Sequence, residues 1–103
     1  MDNGIKEFSP SFKVIKEGGK QFFRCNSLFL INRGNTVVMI DGRCDLLPSE
    51  DIRIPLTDAK FMCVWDATVQ FGEQVTEIGE PRRQRVLVGE MNLHGALTSN
   101  YVG

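Results

Sequence analysis

The sequence carries a single histidine, a single tryptophan and a single tyrosine among 103 residues. Catalysis that depends on an imidazole base therefore has one candidate, His94. It lies in the weakly patterned stretch Asn92-Leu93-His94-Gly95, where it reads as a surface or interface residue. Neither sign of charge dominates: 12 Lys and Arg oppose 13 Asp and Glu, a formal net charge of −1. That balance excludes the basic excess of a general nucleic-acid or anionic-membrane binder. No run approaches the roughly 18 consecutive apolar residues of a membrane-spanning helix. The first residues, Met1-Asp2-Asn3-Gly4, lack the basic and then apolar regions of a signal peptide, so synthesis in the cytoplasm without export is expected. A chain of this length forms one domain with a folded surface of roughly 5,800 Å², too small for a roomy catalytic cleft.

Cysteine is also sparse. Cys25, Cys44 and Cys63 are an odd set, spaced 19 residues apart. A zinc site favours close pairs such as C-x-x-C, which are missing. Free, buried, structural thiols are the expectation.

Other chemistry is missing by pattern. Asp41, Asp45, Glu50 and Asp51 cluster in sequence but lack the alternating spacing of a calcium loop. Asp41 reads as a turn former ahead of Gly42. Gly18-Gly19-Lys20 lacks the preceding glycine of a phosphate-binding loop. Arg82, Arg83 and Arg85 form one basic cluster. With Glu77, Glu80 and Glu90 nearby and no adjacent aromatic for base stacking, it reads as an exposed turn that pairs locally or with a neighbouring subunit. No catalytic residue, metal ligand or cofactor site is assigned.

What is present is strand signal. From Lys60 to Gly72, Phe61, Cys63, Trp65, Ala67, Val69 and Phe71 share one parity, and Asp66, Thr68 and Gln70 the other. This spacing predicts a long strand with one face in the core and Trp65 at its centre, covered on both faces near Met62 and Val64. Leu28-Phe29-Leu30-Ile31 and Thr36-Val37-Val38-Met39-Ile40 flank Asn32-Arg33-Gly34-Asn35, residues tolerant of positive φ, and read as a β-hairpin. Asp41-Gly42 is the next turn signal and leads into Arg43 to Leu47. Ile52, Ile54 and Leu56 alternate with polar residues, and Pro55 places that strand at an edge or at its end. A short strand is expected at Val75–Ile78 and a last core strand at Arg85–Met91, with Gly89 a candidate bulge. Near the start, Ser9-Pro10 to Gly18-Gly19 fits either a short helix or a hairpin of Phe12, Val14 and Lys16 against Lys20, Phe22 and Arg24. The β-rich remainder favours the hairpin. The sum is an all-β domain over 1–103, an antiparallel β-sandwich or small barrel of six to eight strands, with apolar-tinged arms at 1–11 and 92–103.

One stretch carries a likeness. Leu30-Ile31-Asn32-Arg33-Gly34-Asn35, the β-branched run to Asp41-Gly42, and then Leu47-Pro48-Ser49-Glu50 resemble a pattern of small all-β virion proteins of tailed phages. These are auxiliary capsid (decoration) and head or tail accessory proteins. The likeness covers about 25 residues, from Phe29 to Ile54, and departs where Ser49 stands in place of a frequent glycine. It implies a structural protein with no catalytic residue, made in the host cytoplasm and located in the virion. It also implies other virion proteins as partners, among them the major capsid protein, and homo-oligomeric assembly. Candidate interface residues are Ile5 and Phe8 at one end, Arg82, Arg83 and Arg85 in the turn, and Leu93, Leu97, Tyr101 and Val102 at the other end. The alternative is a small carbohydrate- or peptide-binding module, with Trp65 and Tyr101 as stacking candidates.

Overall fold

The structure, a computed structural model, describes residues 6–56, 62–75 and 79–95, without the side chains of 6–8, 94 and 95. Eight strands fill it: β1 Lys6–Ile15, β2 Gly19–Cys25, β3 Ser27–Asn32, β4 Thr36–Ile40, β5 Cys44–Leu46, β6 Asp51–Ile54, β7 Cys63–Gln74 and β8 Val86–Gly95. They form two open antiparallel sheets that pack face to face. One has the order β1-β8-β3-β6 and the other β2-β7-β4-β5. The domain is a sandwich, not a closed barrel.

The pairings β1·β8, β2·β7, β3·β6 and β4·β5 describe one long hairpin that turns between β4 and β5 and then rolls up. This is the jelly-roll arrangement. Apart from the β4–β5 link, every connection steps from one sheet to the other. Two expectations change for this reason. Asn32 to Asn35 is not a hairpin turn but the crossing from β3 in one sheet to β4 in the other. Similarly, Phe12, Val14 and Lys16 do not pair with Lys20, Phe22 and Arg24, although β1 and β2 are both strands.

The one local hairpin is where Asp41-Gly42 marked it. Asp41 and Gly42 take φ values of 55° and 64°, and the Arg43 N–H donates to the Ile40 carbonyl at 3.1 Å. Two successive positive φ values match the primed turn that follows strand twist. The Leu47–Glu50 turn is different. Its Glu50 N–H donates to the Leu47 carbonyl at 3.0 Å, Pro48 holds the second position, and Ser49 takes φ 77° at the third. That third position favours glycine in such a turn, and it is where the resembled pattern often carries one.

The core lies between the sheets. Phe23, Leu28, Leu30, Val38, Ile40, Ala67, Val69, Val86 and Val88 are buried, with Ile52, Ile54, Trp65 and Phe71 packed against them. The expected parity of β7 holds. Trp65 is half-buried at the core margin, where its ring tilts against Phe23 at 5.9 Å between centroids. Met62 and Val64 are exposed, so that end of β7 is not covered on both faces. Gly89 is no bulge, because the register runs unbroken through it on both sides. Val75 follows β7 outside any strand, and residues 76–78 lie outside the described set.

Buried asparagines join the two sheets. Asn32, on β3, donates from Nδ2 to the carbonyls of Thr36 at 2.7 Å and Leu46 at 2.9 Å, both in the opposite sheet. Its Oδ1 accepts the Gly34 N–H at 3.0 Å. Asn35 accepts the Arg83 N–H at 2.7 Å and donates to the Pro81 carbonyl at 2.9 Å. Gly34 is needed for closeness rather than for φ, since a Cβ there would lie 2.2 Å from the Arg83 carbonyl oxygen.

Candidate functional site: the outer face of the β1-β8-β3-β6 sheet

Directly opposite residues of an antiparallel ladder share a face. On the outside of this sheet the ladders align three rows across β1, β8 and β3. These are Pro10–Met91–Ser27, Phe12–Gly89–Phe29 and Val14–Leu87–Ile31. Almost every member is apolar. Phe12 is 63% exposed and Val14 44% exposed, while Phe29, Ile31, Leu87 and Met91 are half-buried.

Gly89 organises the centre of the face. With no side chain there, the Phe29 ring lies across the strand, so that a Cβ on Gly89 would meet its Cε2 at 2.1 Å. Phe12 reaches over from the other side, and the two rings stand 6.2 Å apart at 51°. A small recess of about 40 Å³ opens beside them, lined by Pro10, Phe12, Ser27, Phe29, Gly89 and Met91 together with Glu90. The β6 edge closes the face with charge: Arg53 stacks over Phe29 at 6.0 Å and pairs with Asp51.

At the other end of the rows an open groove of about 430 Å³ has Val14 and Leu87 as its apolar walls and Arg33 and Arg85 as its charged ones. Among the described residues neither guanidinium has an ion-pair partner. The groove therefore suits an anionic group attached to an apolar one.

The structure divides the expected arginine cluster. Arg82 turns to the opposite sheet, donating to Gln84 Oε1 at 2.7 Å and the Gly72 carbonyl at 2.8 Å. Arg83 is tied by its backbone to Asn35. Arg85 alone joins the apolar face. The described parts of the two expected arms, 6–11 and 92–95, are strand and pair with each other, which sets Phe8 opposite Leu93 and Glu7 opposite His94. Leu93 is half-buried, and its N–H donates to Asn26 Oδ1 at 2.8 Å. Ile5, Leu97, Tyr101 and Val102 lie outside the described residues.

Phe12, Val14, Phe29, Ile31 and Leu87 were not among the expected interface residues, yet the sequence held a sign of them. Leu28-Phe29-Leu30-Ile31 and Val86-Leu87-Val88 are apolar at both parities, so each strand presents apolar side chains on both faces.

The remaining polar features are structural. Asp41 accepts the Trp65 indole N–H at 2.8 Å and the Thr68 N–H at 2.7 Å. These bonds, foremost the Thr68 backbone N–H, hold its carboxyl below the usual range, helped by nearby Arg43. Trp65 thus faces inward, tilted on Phe23, with its polar atom engaged. Cys25 is buried and its thiol is pushed up to about 11, chiefly by that burial and then by neighbouring Cys63 and Glu90. Cys44 is exposed, against the expectation of three buried thiols. Among the described residues no group of three or more His, Cys, Asp or Glu could hold a metal ion, and no helix is long and apolar enough to cross a membrane. No family model, curated protein or solved structure matches the chain.

Proposed function

We propose that the chain is a structural, non-enzymatic virion component, an auxiliary capsid (decoration) protein that binds neighbouring virion proteins through the outer face of the β1-β8-β3-β6 sheet. One observation carries the reading: three aligned rows of side chains, centred on Phe12, Gly89 and Phe29, leave a contiguous apolar face in water. Such faces mark contact surfaces in soluble proteins. Arg33 and Arg85 at the end of the rows favour a partner whose apolar patch is bordered by an acidic group, the major capsid protein being the leading candidate. The jelly-roll arrangement is compatible, since viral capsid domains use it. Lectin and cupin domains use it too, so the topology supports the reading by analogy and the face supports it by chemistry.

Mass spectrometry of particles purified from the source that encodes the chain tests this. The expected result is the chain present in many copies per particle, with loss of attachment when Phe12 and Val14 are both changed to Ser. Absence from the particle, together with a strictly monomeric protein in light scattering, would overturn it.

A further inference from the structure

Cys25 closes β2 and Cys63 opens β7, and the ladder sets them directly opposite each other. Opposed residues of an antiparallel pair have Cα atoms about 4.5 to 5.5 Å apart, inside the range a disulfide spans. Both side chains are on the inner face, one row beyond Phe23 and Trp65, which are likewise opposed and in ring contact. Cys63 lies close enough to push the Cys25 thiol up, second to burial, and both are free thiols. Cys25 is fully buried, whereas Cys63 is half-buried and open to reagents.

We propose that Cys25 and Cys63 are a modification site, a thiol pair that closes to a cross-strand disulfide between β2 and β7 when the chain meets a disulfide oxidant such as oxidised glutathione. The thiolate of Cys63 attacks one sulfur of the oxidant, and one glutathione leaves as thiolate. Cys25 then gives up its proton to solvent and its sulfur attacks the Cys63 sulfur, releasing the second glutathione. Two protein thiols are oxidised and one glutathione disulfide is reduced to two thiols. The high pKa of Cys25 makes the second step the slow one. The cross-link encloses β3 to β6, so it restricts the unfolded chain and stabilises the fold. This inference does not depend on the proposed function. A particle that passes from a reducing cytosol to an oxidising exterior would nevertheless draw on it.

The test uses the full chain carrying Cys44→Ser, so that only the pair can react. The folded protein is equilibrated in reduced and oxidised glutathione, then quenched with acid, and its thiols are alkylated in denaturant and read by intact mass. The expected product has lost two hydrogen atoms, accepts no alkyl group and melts about 10 °C or more above the reduced form. Cys25→Ala and Cys63→Ala, each in the Cys44→Ser background, should lose that product. A lasting glutathione adduct on Cys63 with Cys25 still alkylated would overturn the proposal, as would two thiols that stay alkylatable throughout.

Discussion

The two outer faces of the sandwich are built on opposite rules. On the β2-β7-β4-β5 sheet three outward apolar residues stand opposite polar ones: Phe22 faces Asp66, Val64 faces Arg24, and Met39 lies between Gln70 and Asp45, while Val37 lies beside Gly72 at the register shift between β4 and β7. Across β1, β8 and β3 of the other sheet apolar residues face one another in successive rows, broken by Ser27 and bordered on β6 by Arg53 and Asp51. Exposure of single residues does not distinguish the faces, since Phe12 and Phe22 are 63% and 59% exposed. Their neighbours do. An isolated ring among charges is ordinary surface, whereas a ring continued by rings and aliphatic chains is a patch that association would remove from water. On the proposed reading, one face is solvated and the other is covered by a neighbour.

The largest effect is expected where the faces are pinned together. Asn32→Ala removes three buried hydrogen bonds, two of them between the sheets, and takes the buried Asn32 amide donor from the Thr36 and Leu46 carbonyls. It should lower stability by about 2–4 kcal/mol in urea titration, with both faces lost in a single transition. A smaller effect separates them. Gly89→Ala forces the Phe29 ring off the apolar face and should cost about 1–2 kcal/mol by the same measurement. Its counterpart Gly72→Ala, on the outside of β7, would place a Cβ 3.5 Å from Val37 Cβ and 3.6 Å from Met39 Cε, ordinary contacts. That change should be neutral or stabilise by about 0.5 kcal/mol. The smallest effect is acid-dependent and belongs to the β2-β7-β4-β5 sheet. Asp41 has a lowered folded pKa, so its contribution is present above the unfolded carboxylate value near 3.9 and is lost as pH falls through the lower folded value. Trp65 fluorescence should report release of the indole in that window, with no matching change in Asp41→Asn.

Much of the fold was legible because strand periodicity is local. The parity of Cys63 to Phe71, the Asp41-Gly42 turn and the edge position of the Ile52–Ile54 strand were all readable. Strand partnership was not. In a rolled hairpin only β4 and β5 pair with a sequence neighbour, so the rule that adjacent strands form hairpins fails at Asn32–Asn35 and again at Gly18-Gly19. The asparagines there serve hydrogen bonds across the core, a role that no local pattern announces. The candidate site was half legible for the same reason. Apolar residues at both parities in β3 and β8 marked strands without a polar face. That Phe12 and Phe29 meet over Gly89 depends on a register spanning most of the chain.

The outer face of the β1-β8-β3-β6 sheet is the proposed working surface, and a matched pair of substitutions tests it. Phe12→Ser and Phe22→Ser remove equally exposed rings from the two faces. Both proteins are first checked for an unchanged thermal midpoint, and their affinities for purified particles stripped of the native chain are then measured by co-sedimentation. Phe12→Ser should weaken binding by about 30-fold or more, the size of an interface hot spot, and Phe22→Ser should stay within about threefold of the parent. Equal losses, or a loss confined to Phe22→Ser, would contradict that reading.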